Sequence, residues 1–84
     1  MSYSIEILRV AQKQLAKIDR AGQQRIIDGI RSLEEDPRPA GCKKLSGRPA
    51  WRIRIGPYRV IYEIHDDRLL VLVVTIGDRK DVYR

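Results

Sequence analysis

Arg52, Arg54 and Arg59 are the residues of this chain best suited to chemistry, and the chemistry they suit is the binding of a phosphate. They stand in the run Trp51-Arg52-Ile53-Arg54-Ile55-Gly56-Pro57-Tyr58-Arg59-Val60-Ile61-Tyr62, where apolar and basic residues alternate with the period of a β-strand. Gly56-Pro57 reads as a two-residue hairpin turn, with a glycine free to take positive φ followed by a proline of fixed φ. That turn sets Ile55 across from Tyr58, Ile53 across from Val60 and Trp51 across from Tyr62, a consistent apolar face. The other face then holds Arg54 directly opposite Arg59, with Arg52 one step along at roughly 7 Å. Like charges set opposite each other destabilise a sheet, and a chain of 84 residues has little stability to spare. Guanidinium groups bind phosphate bidentately and stack on bases, so a nucleic-acid backbone would turn the repulsion into attraction. A solvated basic face without function is the competing reading.

The charge distribution sharpens this. The chain carries a net charge of +6, and from Pro37 to Tyr62 it has no Asp or Glu. The same stretch holds Arg38, Lys43, Lys44, Arg48, Arg52, Arg54 and Arg59, with acids on either side at Asp28, Glu34, Glu35, Asp36, Glu63, Asp66 and Asp67. A basic balance favours nucleic acid, an acidic protein or an anionic membrane surface as partner. One cysteine, Cys42, excludes an internal disulfide and fits a reducing cytosol. With His65 the single histidine, no ordinary zinc site can be assembled, so neither a metal nor a cofactor is expected. The N-terminus lacks a basic segment followed by an apolar one, so no signal peptide is expected. The apolar run Leu69 to Val74 is far short of the ~20 residues of a membrane span. The expectation is a soluble cytoplasmic protein with no membrane partner. His65, beside Asp66-Asp67, reads as an exposed turn histidine away from the arginines.

The elements that must position these residues fit one α+β domain over residues 1–84. Tyr3 to Leu8 alternates as a strand. Val10 to about Ile18 carries a helical stripe of Ala11, Leu15 and Ile18, and Asp19 to Gly22 reads as a turn. A second helix runs from about Gly22 to Glu35 on Ile26, Ile30 and Leu33, and Pro37 and Pro39 stop it. Gly29 within it is expected to mark a close approach of the first helix, since Gly costs roughly 1 kcal/mol relative to Ala there. The brief connection implies an antiparallel helical hairpin. A basic loop then extends from Asp36 to about Ala50, followed by strands Trp51–Ile55, Tyr58–His65 and Leu69–Ile76 as an antiparallel meander. The last strand, apolar on both faces, is expected at the centre, with the first strand on its free edge. This yields one antiparallel sheet with two helices on one face and a polar tail from Gly77 to Arg84.

Four short motifs in order resemble the RelE/ParE toxin superfamily. They are Lys44-Leu45-x-Gly47, Trp51-Arg52-Ile53-Arg54-Ile55-Gly56, Tyr58-Arg59-Val60-Ile61-Tyr62 and Ile76-Gly77-x-Arg79-Lys80-x-Val82-Tyr83-Arg84. The resemblance spans essentially the whole chain. It implies a RelE-like fold, a cognate antitoxin protein as partner and, for RelE members, metal-independent cleavage of mRNA in the ribosomal A site. There the ribose 2′-hydroxyl attacks the adjacent phosphate, leaving a cyclic phosphate and a 5′-hydroxyl. Carried over by motif, Arg52, Arg54, Arg59, Arg79 and Tyr83 are the implied catalytic residues. Lys43, Lys44, Arg48, Lys80 and Arg84 are the implied contacts to RNA and the ribosome. RelE members that carry Lys at the two strand positions have a candidate base there. Arg at both is effectively never deprotonated, so Arg52 and Arg54 suit phosphate stabilisation and Tyr83 suits proton transfer. An aromatic lid over the helical hairpin is the plainer role for Tyr83.

Three rival functions remain open on these residues. One is the ParE branch, which poisons DNA gyrase without nuclease chemistry. Another is a catalytically weak homologue that acts only by binding its antitoxin. The third is a general RNA-binding module, which the sheet face fits poorly for want of paired aromatics.

Overall fold

Two periodicities in the chain, one helical and one of strands, meet across a single buried layer. In a computed structural model that describes residues 2–78, the elements run β1 (Ser4–Ile7), α1 (Arg9–Ala16), α2 (Arg20–Ser32), β2 (Lys43–Lys44), β3 (Trp51–Ile55), β4 (Tyr58–His65), a one-turn 3-10 helix (Asp66–Arg68) and β5 (Leu70–Asp78). Ala11 of α1 and Ile26 and Ile30 of α2, with Leu33 just beyond, pack on Ile53, Val60, Tyr62, Val71, Val73 and Ile76 of the sheet. The helices therefore cover one face, as their stripes require. Gln23 ties them together, its Nε2 donating to the carbonyls of Leu15 at 3.2 Å and Ile18 at 2.9 Å. The turn between them lies two residues earlier than the sequence suggests, because α1 ends at Ala16 and α2 starts at Arg20 with Asp19 at its N-cap. Among the described residues, no helix is long and apolar enough to cross a membrane.

The sheet departs from the expected one in three ways. It has five strands in the order β1-β5-β4-β3-β2, and β1 runs parallel to β5, so it is mixed rather than antiparallel. The additional strand is β2, two lysines inside the expected loop, paired with Trp51 and Arg52. It adds one reversal before the meander, which returns β5 in the direction of β1. Its like-charged residues show no alternation, so its sequence carries no strand signal. The central strand is β4, and β5 lies between it and β1.

The apolar character of β5 on both faces has a local cause. Ile61 pairs with Thr75 but Tyr62 pairs with Val73, leaving Val74 as an extra residue. This bulge changes the phase, so that Val71, Val73 and Ile76 all face the helices. Val74 packs instead with Leu45, Ala50 and Ile61 in a second, smaller apolar cluster. β1 reaches only to Val73. Beyond it, Gln14 of α1 accepts a hydrogen bond from the Ile76 N–H at 2.8 Å and satisfies that stretch of edge.

Gly29 marks a close approach, but to β3 and not to α1. A Cβ there would lie 2.5 Å from Ile55 Cδ1. The segment after α2 is held down by side chains from three directions. Tyr62 donates its hydroxyl to the Pro37 carbonyl at 2.7 Å. Arg38 pairs with Asp66 at 2.9 Å and lies 5.2 Å over the Trp51 ring. Tyr3 donates to the same Asp66 at 2.6 Å. Arg38 thus serves the fold, although it belongs to the basic stretch. His65 is the last residue of β4, half-buried rather than on an exposed turn, with Nε2 3.0 Å from Glu63 and Nδ1 3.1 Å from Arg68.

Two outcomes follow. Tyr62→Phe removes a buried hydrogen bond and is expected to lower stability by about 1 kcal/mol with an unchanged denaturant slope, as measured by urea unfolding. Hydrogen bonds from Arg38 and then Tyr3 hold the Asp66 carboxyl below the usual carboxylate range. A depressed folded pKa contributes stability above ~4, the ordinary Asp value, that is lost as pH falls through the lower folded value. Thermal unfolding below pH 5 should therefore lose less stability in Asp66→Asn than in the parent.

Candidate nucleic-acid interface

The hairpin register places the arginines as the alternation requires. Arg54 pairs across from Arg59, Ile55 from Tyr58, Ile53 from Val60 and Trp51 from Tyr62. Gly56, at φ 58°, supplies the positive φ that a tight hairpin turn demands. The face turned away from the helices carries two rows across the strands. One is Lys43, Arg52, Ile61 and Thr75, and the next is Arg54, Arg59 and Gly77. Gly77 is the β5 residue paired with Arg59, so β5 itself adds no side chain to the second row. Among the described strand residues, acids appear on this face only at its other end, where Glu63, Leu72 and Glu6 form a row. Four strand residues separate Arg59 from Glu63, which is roughly 13 Å.

Arg52 differs from the others. It is 5% exposed and is the one buried charged residue among those described. Its Nε is buried with no hydrogen-bond partner among the described residues. Sequence alternation places it on this face but does not reveal its burial. Its strand neighbours are Lys43 and the fully buried Ile61, and the β2–β3 loop brings Leu45 and Ala50 onto the same apolar cluster as Ile61. A buried donor left without an acceptor costs about 1–3 kcal/mol. Of the ion pairs among the described residues, Arg38–Asp66, His65–Glu63 and Arg68–Asp67, none involves Arg52.

The expected basic set divides. Lys43, Arg52, Arg54 and Arg59 share one face. Lys44 pairs with Trp51 and so alternates to the opposite face. With Arg48 it lines a separate hollow in the β2–β3 loop, beside Gly47 at φ 70°. Arg79, Lys80, Tyr83 and Arg84 lie outside the described residues. The last described residue, Asp78, pairs with Tyr58 at the arginine end of the sheet. Tyr58 is half-buried and packs with the main core. A cleft of about 430 Å³ adjoins the arginine face, opening between Gly29 and Ser32 of α2 and the edge of β3, with Lys43, Arg52 and Arg54 among its lining. No sequence signal marked it, because its walls come from three separate segments.

Comparison with known proteins agrees with this architecture. Residues 5–83 match the family described as the ParE toxin of type II toxin–antitoxin system, parDE. The chain is 26% identical over 88 residues to the mRNA interferase toxin RelE of Escherichia coli, covering 99% of this chain and 92% of that protein. It superposes with a TM-score of 0.85 on a chain of the archaeal RelE–RelB complex from Pyrococcus horikoshii, at 26% identity over 96% of this chain and 99% of that one. For the intact RelBE toxin–antitoxin complex of E. coli the TM-score is 0.80, at 25% identity over 92% of this chain and 96% of that one.

If Arg52 is held for a ligand, the fold should gain from losing it. Arg52→Met keeps the aliphatic stem and removes a buried, unpaired charge, so it is expected to raise unfolding stability by about 1–3 kcal/mol. Pyrophosphate should stabilise the parent more than the variant, read as a shift in unfolding midpoint. A variant less stable than the parent would mean that the fold itself satisfies the guanidinium.

Proposed function

Because the chain belongs to the ParE toxin family of type II toxin–antitoxin systems, within the RelE/ParE superfamily, we propose that it exerts its toxicity by cleaving mRNA in the ribosomal A site. The observation that carries this reading is Arg52, a buried arginine whose Nε lacks a hydrogen-bond partner among the described residues, in the same sheet face as Lys43, Arg54 and Arg59. Guanidinium and ammonium groups gathered on one face suit a phosphate, which they bind through charge-assisted hydrogen bonds. The mRNA interferase named among its relatives supports the same activity.

The chemistry needs no metal and no cofactor. The 2′-hydroxyl of the nucleotide before the scissile phosphate attacks phosphorus, and the bond to the 5′-oxygen of the next nucleotide breaks. The 2′-hydroxyl proton goes to a base, and the leaving 5′-oxygen receives one from an acid. The products are a 2′,3′-cyclic phosphate and a 5′-hydroxyl. Arg52, Arg54, Arg59 and Arg79 stabilise the charge that builds on the phosphorane oxygens. Since arginine does not give up its proton in proteins, the proton transfer falls to Tyr83. Lys43, Lys44, Arg48, Lys80 and Arg84 contact the RNA strand and ribosomal RNA. The cytoplasm is where this substrate is found.

The partner is an antitoxin whose acidic or amphipathic segment folds on binding and covers the arginine face and the tail. Two of the structural relatives are seen in complexes with their antitoxins, which supports the pairing. A second reading follows from the family match itself, which is to ParE. In it the same surface docks on DNA gyrase and no RNA is cut.

Primer extension on programmed ribosomes separates the two. The parent should cut within the A-site codon. Arg59→Ala and Tyr83→Phe should each lower cutting by roughly 100-fold or more with unchanged circular dichroism, and Arg59→Ala should relieve growth arrest. Intact mRNA with inhibited supercoiling would establish the gyrase reading instead. Undiminished toxicity of Arg59→Ala would remove the arginine face from the mechanism.

A further inference from the structure

The cleft between α2 and β3 has a composition that phosphate binding alone does not explain. It arises where β2 stops. That strand pairs only through Lys43 and Lys44, opposite Arg52 and Trp51, while β3 runs on to Ile55. The preceding chain turns away at Gly41, at φ 91°. On the other side, α2 comes close at Gly29, where a Cβ would meet Ile55. Between them lies a space of about 430 Å³. That is within the roughly 300–1,000 Å³ of small-molecule pockets and larger than a phosphate needs.

Its walls are of two kinds. Pro39, Ala40, Ile53 and Ile55 are apolar. Lys43 and Arg54 bring positive charge from the sheet face, and Arg52 lines the cleft while 5% exposed, its Nε lacking a partner among the described residues. A phosphate or a carboxylate answers the cations but not the apolar walls. An aliphatic side chain answers the walls and leaves Arg52 buried and unsatisfied. A nucleobase answers both. Its ring faces pack on proline and isoleucine or stack on a guanidinium, its ring nitrogens and carbonyls accept from an arginine N–H, and its own phosphate lies within reach of the cations.

We propose that this cleft holds one base of the single-stranded RNA whose phosphate lies on the arginine face, which makes it the base-reading pocket of that site. The proposal rests on the RNA reading above. It assigns Ser32 and Ala40, exposed residues outside the phosphate-binding set, to the walls of a specificity pocket.

The test measures binding of the full chain to a short, 2′-O-methylated single-stranded RNA, which cannot be cleaved. One abasic ribose is moved in turn through each position of the strand. For the parent, removal of the base at one position should weaken binding roughly tenfold. Ser32→Leu and Ala40→Phe each fill the cleft from a different wall, so both are expected to bind intact and abasic strands alike, at the abasic affinity. Arg59→Ala should weaken both strands together and so reports on the phosphate site separately. Equal binding of intact and abasic strands by the parent, or an undiminished tenfold gap in both filled variants, would overturn the proposal while leaving the RNA site standing. Filled variants that keep the gap but bind an acidic antitoxin peptide more weakly would give the cleft to a protein partner. No binding of either strand by the parent would remove the RNA reading and the pocket with it.

Discussion

One buried guanidinium governs how this molecule is organised. Arg52 sits in the sheet between Lys43 and Ile61, 5% exposed, with its Nε buried and lacking a hydrogen-bond partner among the described residues. Its position follows from the β3–β4 register, and its burial accompanies the small apolar cluster that the β2–β3 loop completes on that face. In a chain this small, burying a cation draws on a narrow margin of stability.

Charge is segregated among the described residues of the sheet. Acids on the same face lie at its far end, at Glu63 of β4 and Glu6 of β1, and Glu63 is occupied by His65. Asp66, which could attract a distant arginine, is taken by Arg38 and Tyr3. Arg38 in turn stacks on Trp51, on the helix-facing side of the sheet. The clamp around Asp66 therefore fastens the segment between α2 and β2. The same segment, once fastened, forms one wall of the cleft beside β3.

The sheet itself is adjusted to the same end. The bulge at Val74 lets β5 present Val71, Val73 and Ile76 to the helices while Val74 supports Ile61 on the other face. Gly77 is the β5 residue opposite Arg59. Gly29 allows α2 to approach Ile55 closely, so a larger residue there would push on β3 from the helix side.

Much of this was legible without coordinates wherever the governing interactions are local. The hairpin register, with Arg54 opposite Arg59, follows from a two-residue turn between two alternating strands, because a period of two admits no other pairing with an apolar face. The helical stripes of Ile26, Ile30 and Leu33 are legible for the same reason, since a helix repeats within a few residues. What depends on distant segments was not. The two lysines of β2 become a strand only because Trp51 and Arg52 offer an edge, and that strand reverses the chain so that β1 and β5 run parallel. The neighbour of Gly29 requires two distant segments to meet in space, and the burial of Arg52 and the cleft beside it require three or more. Periodicity reports which side of a strand a residue occupies, whereas how deeply it lies there depends on what the rest of the chain folds over it.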